Sequence, residues 1–84
     1  MTTMARRKVS PGELFHRRLL GEILRSQAIA GESDEETSVA LGIGAQTFKK
    51  TRMKDPRTFK ADEVFRAATH FHWDAETLGN IFTT

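Results

Sequence analysis

Phe15, Leu19 and Ile23 recur every four residues, with Leu20 and Leu24 beside them and Arg17, Arg18 and Arg25 turned away. At about 100° per residue this is one apolar stripe on a helix. Ser10-Pro11-Gly12-Glu13 supplies its start: Ser10 as cap, Pro11 at the first helical position and Glu13 closing a capping box. The helix is expected to end between Gln27 and Ala30, with Gly31 as the break. A second start signal, Ser33 before Asp34-Glu35-Glu36, opens a helix at Asp34, where three carboxylates also suit the positive end of the helix dipole. Leu41 completes two turns, and Gly42 supplies the residue that takes positive φ without a Cβ clash. Gly44 caps a third helix from Ala45 to about Met53. Ile43 and Phe48 are spaced as a hydrophobic staple across its first turn.

With Phe48 directed at the core, Gln46 and Lys50 point almost straight away from it, flanked by Thr47 and Lys49. Beyond them, Asp55-Pro56 breaks the chain, because proline disfavours helical backbone in the residue before it. Ala61 to Phe71 reads as a fourth helix with Val64, Ala68 and Phe71 on its buried stripe. Asp74 is placed to cap a fifth helix from Ala75 to about Phe82, with Leu78, Ile81 and Phe82 apolar. No alternating β pattern competes with these periods. The expected fold class is therefore all-α, five helices in one domain over residues 10–84, after a flexible basic arm over residues 1–9.

Charge changes the picture more than length does. The net charge of +2 conceals segregation: residues 1–25 hold six cations and two acids, residues 26–48 four acids and no cation, and residues 49–66 seven cations and three acids. Such separation suggests one surface directed at a polyanion. For any single run, a solvated helix face is the plainer explanation. The 84 residues carry no cysteine, so neither a disulfide framework nor a thiolate zinc site is available, and a cytoplasmic setting is expected. No apolar run approaches the length of a membrane span, and the basic start leads into Ser10-Pro11-Gly12 in place of a signal-peptide core. His16, His70 and His72 lack the spacing of a metal site. No nucleophile turn, phosphate loop or carboxylate pair suggests catalysis. Neither an enzyme, a metal nor a cofactor is expected.

The capped helix Asp34 to Leu41, the turn Leu41-Gly42-Ile43 and the polar helix around Phe48 resemble the lambda-repressor-like, or Cro/XRE-type, helix-turn-helix family. The likeness extends over about Glu13 to Phe82. Arg52-Met53-Lys54-Asp55-Pro56, with Thr58-Phe59 and Asp62-Glu63-Val64, is similar to small phage-encoded members. The resemblance implies a compact five-helix DNA-binding transcriptional regulator of a phage or mobile element, a repressor or Cro type, with its third helix in the major groove. It makes Ala45, Gln46, Thr47, Lys49 and Lys50 candidates for base readout. Ser38 becomes the small residue that lets the two helices of the motif approach.

Arg17, Arg18, Arg52, Lys54 and Arg57 are candidate phosphate contacts, and Arg6, Arg7 and Lys8 a minor-groove or backbone arm. Trp73, Leu78, Ile81 and Phe82 are a candidate homodimer contact, which would match a palindromic operator in double-stranded DNA.

Three positions depart from the family pattern. Asp34 stands where a neutral residue usually bonds a phosphate, so that contact is not carried over. One extra residue separates Phe48 from the next apolar side chain, Met53, leaving three outcomes for the third helix: an early end, a bulge, or Met53 turned inward. Lys60 occupies the cap position of the fourth helix. The rival expectation is a protein-interaction module on the same scaffold, binding through acidic Glu32 to Glu36 or the apolar C-terminus.

Overall fold

The computed structural model of the protein describes residues 11–82. Five helices run as α1 (Pro11–Ala30), α2 (Asp34–Leu41), α3 (Ala45–Thr47, continued by a π turn Phe48–Arg52), α4 (Ala61–His70) and α5 (Ala75–Phe82), with a short 3-10 turn Pro56–Thr58 before α4. Ser10 and the arm residues Arg6, Arg7 and Lys8 lie outside the described residues.

Leu19 and Ile23 of α1 are fully buried and meet Leu41, Phe48, Phe59, Ala67 and Ile81 in a single core. Phe15 and Leu20 pack on its edge, whereas Leu24 remains exposed. The stripe continues one turn further to a polar residue. Gln27 is buried, and its Nε2 donates to Asp34 Oδ1 at 2.7 Å. The carboxylate at the head of α2 is thus turned toward α1.

Each end of α2 follows its sequence signal. Ser33 Oγ accepts from the Glu36 amide at 3.1 Å while the Ser33 amide donates to Glu36 Oε1 at 2.8 Å, a complete capping box. Gly42 terminates the helix at φ 78°, and the Ile43 amide donates back to the Ser38 carbonyl at 3.0 Å. Ser38 is fully buried, its hydroxyl donating to the Glu35 carbonyl. α2 packs on both α3 and α4.

α3 departs from a regular helix where the extra residue falls. After one α turn the Met53 amide donates to the Phe48 carbonyl at 2.9 Å, an i to i+5 bond. The inserted residue is absorbed as a bulge, and Met53 packs inward against the core. Two of the three open outcomes therefore occur together.

The buried face of α4 differs from the expected one. Glu63 and Ala67 are its most buried residues, and Val64, Ala68 and Phe71 lie half-buried beside them. The stripe is rotated by one position because Glu63 turns inward to meet Arg52. Lys60 offers no side-chain cap, but its amide donates to Glu63 Oε1 at 3.2 Å. At α5, Asp74 Oδ1 accepts from the Thr77 amide at 2.8 Å. This bond, together with Thr77's side chain, holds the Asp74 carboxyl below its ordinary value.

Candidate nucleic-acid interface

The short α2, the left-handed Gly42 and the Gly44-led α3 put one face of α3 in solvent and its opposite face in the core. Phe48 has no exposed surface, while Gln46, Thr47, Lys50 and Thr51 are exposed and Ala45 is half-buried. Four side chains carrying an amide, two hydroxyls and an ammonium therefore project together. An amide pairs with both edge atoms of adenine, and an ammonium donates to guanine acceptors or phosphate.

Lys49 has a different position. Its Nζ donates to Glu35 Oε2 of α2 at 2.8 Å, holding the ammonium at the side of the helix pair. That hydrogen bond raises the Lys49 pKa and lowers that of Glu35. Both side chains are largely exposed, so the pair is a local tether of small energetic weight.

Arg52 corrects the sequence expectation. Its Nε and Nη2 donate to the two Glu63 carboxylate oxygens at 2.8 and 2.9 Å, and the side chains are only 10% and 5% exposed. A guanidinium so enclosed has no face to offer a phosphate. Burial alone would push the Glu63 carboxyl up, but the Arg52 fork and the Lys60 amide outweigh it and hold the group below the ordinary carboxylate value.

The remaining cations divide between two sides. Arg17 of α1 joins Lys54 and Arg57 around a shallow polar depression of about 290 Å³, which Glu13, His16 and Asp55 also line. Arg57 is held by Asp55 through a 2.9 Å contact, and that hydrogen bond lowers the Asp55 carboxyl. Arg18 is separated from this group: its Nη1 lies 3.4 Å from the Asn80 carbonyl of α5. One helical step, about 100°, turns it toward α5 and away from Arg17's cluster, so the phosphate role expected for both is divided.

The acidic stretch is occupied internally. Glu32 accepts from the Thr37 hydroxyl at 2.9 Å and meets His70 Nε2 at 2.6 Å, Asp34 holds Gln27, Glu35 holds Lys49, and Glu36 completes the α2 cap. Among the described residues, no group of three metal-ligating side chains is assembled.

The expected C-terminal contact also needs correction. Ile81 is 2% exposed and belongs to the core. Trp73 is half-buried, its Nε1 donating to Ser26 Oγ at 2.8 Å and its ring stacked on Phe71. Leu78 and Phe82 instead line an apolar groove of about 520 Å³ with Phe15, Phe59, Val64 and Phe65. Phe65 and Phe82 are 73% and 60% exposed at its margin, and sequence periodicity missed Phe65 because it falls off the α4 stripe. Thr51 was missed as well, although the extra residue before Met53 was the signal that would have found it.

No protein-family model, no curated protein and no solved structure matches this chain. No described helix is long and apolar enough to cross a membrane.

Proposed function

We propose that this protein is a sequence-specific DNA-binding regulator of the lambda-repressor-like helix-turn-helix type, of phage or mobile-element kind, working in a bacterial cytoplasm. α3 and its π turn enter the major groove with Gln46, Thr47 and Lys50 toward base edges, and Ala45 close behind. The observation that carries this reading is the two-sided character of α3: Phe48 wholly buried, and Gln46, Thr47 and Lys50, groups suited to base edges, exposed on the other side. Arg17, Lys54 and Arg57 supply phosphate contacts from one side, with Lys49 at the edge of the same surface. Such contacts fix register, while base contacts specify sequence.

A second copy completes the proposed regulator. The apolar groove and the exposed rings of Phe65 and Phe82 lie on one face, so the patch offers both a recess and projections to an identical partner, as a two-fold interface requires. Two recognition helices about one DNA turn apart would then read a palindromic operator.

Selection from random duplexes tests the reading. The wild-type protein enriches a short motif with two-fold symmetry, and Lys50→Ala weakens binding to it. The same apolar face also favours a second reading, a protein-interaction module without specific DNA binding. Failure of any motif to enrich, together with a distinct protein bound through Phe65 and Phe82, would establish that alternative instead.

A further inference from the structure

We propose that the π turn converts Thr51 into a base-reading residue. The inference rests on the DNA-binding reading and names a specificity determinant within that interface.

In an unbroken α-helix, residues three and four beyond Phe48 share its face, which would direct both Thr51 and Arg52 at the core. Here the turn closes one residue later, with the Met53 amide on the Phe48 carbonyl. Spreading five residues over that turn swings Thr51 outward, and it is exposed. Arg52 and Met53 take the inward positions on either side of the Phe48 direction: Arg52 is buried against Glu63, and Met53 packs on the core.

The result is a second row on the outer face. Gln46 and Lys50 form one i, i+4 pair, and Thr47 and Thr51 form another alongside it, all four exposed. Thr51 is also held firmly. Phe48 anchors the turn before it, and the two-pronged Arg52–Glu63 contact, 2.8 and 2.9 Å, anchors the residue after it. Its own carbonyl accepts from the Asp55 amide at 3.0 Å, which fixes the backbone leaving the turn. A side chain fixed on both sides presents its hydroxyl and methyl with little freedom to lose on binding. Those groups match a hydrogen-bonding base edge and the thymine methyl.

The test compares motifs selected from random duplexes by wild-type protein, Thr51→Ala and Gln46→Ala. The wild type enriches a motif. Thr51→Ala loses preference at one base pair of each half-site, a fall of roughly two- to tenfold in discrimination there, the scale of one neutral hydrogen bond. Gln46→Ala loses it at a different base pair. The thermal midpoint of Thr51→Ala does not fall below that of wild type, since an exposed side chain is removed from a helical turn. If Thr51→Ala selects the wild-type motif unchanged, or binds every sequence more weakly by the same factor, the base-reading role is overturned while the DNA-binding reading stands. A wild-type protein that enriches nothing overturns both.

Discussion

Arg52 and Glu63 show how one pair of residues sets both the shape of a helix and the part of it left for solvent. Their side chains are nearly enclosed and joined by two hydrogen bonds. Removing one partner strands the other charge in a dry site, so Arg52→Ala is expected to cost about 3–5 kcal/mol, measured by urea unfolding. Replacing both, as in R52M/E63L, should recover most of that loss because no buried charge is left behind. The pair also sets a pH dependence. Glu63 titrates below its ordinary 4.5 in the folded state, so its contribution is complete above that value and disappears as pH falls through the lower folded one. Thermal midpoints of wild type should drop as the pH is taken below 4.5, and Glu63→Gln, less stable at neutrality, should show a shallower drop. Sequence reading put Arg52 among the phosphate contacts because cations cluster there. A bidentate partner eleven positions away leaves no mark in local periodicity, and the same pairing rotated the buried face of α4.

The elements themselves were legible wherever a backbone device marked their ends. Ser33 with Glu36, Gly42 in the left-handed region and Asp74 before α5 each act within a few residues, and the corresponding helix ends lie where those residues place them. Local chemistry of this kind survives without knowledge of the fold. The π turn was half legible: the extra residue before Met53 was visible, but its accommodation was decided by Phe48, Arg52 and Met53 packing together. The 3-10 turn Pro56–Thr58 was read only as a break at Asp55-Pro56, although the Asp55 carboxylate and carbonyl that hold it also act within three residues. Substitutions at the two ends of α2 test these devices. Ser33→Ala should lower stability by about 1 kcal/mol through loss of the cap. Gly42→Ala should lower it by about 1–2 kcal/mol from the left-handed backbone, and its methyl would also displace the Arg66 guanidinium. Gly31→Ala carries the same backbone strain in open space, so denaturant midpoints should place it above Gly42→Ala.

For the whole molecule, the charge segregation seen in the sequence resolves into distinct surfaces with different duties. The acids of the loop and α2 are engaged within the fold, Arg52 is internal, and Arg17, Lys54 and Arg57 gather around one depression between α1 and the turn that follows α3. If a dimer neutralises about five to eight phosphates, log K should fall against log salt with a slope of about −4 to −7. Arg57→Ala, present in both copies, should make that slope shallower by about 2, read by fluorescence anisotropy. With the apolar groove as the dimer contact, Phe65→Lys should shift the protein toward monomer in sedimentation and weaken operator binding without altering the selected motif. The groove was not legible in the sequence because it exists only where Phe15 of α1, Val64 and Phe65 of α4 and Leu78 and Phe82 of α5 come together, and no periodicity within one helix tells which stripes will meet.

The central claim is that the outer face of α3 meets duplex DNA while Phe48 holds it from within. Amide NMR titration with the enriched duplex examines that contact residue by residue. Shifts concentrated over Ala45–Thr51 and at Arg17, Lys54 and Arg57, with Ile29, exposed near the C-terminal end of α1, unmoved by added DNA, are the predicted result. A footprint that leaves Gln46, Thr47 and Lys50 undisturbed would contradict it.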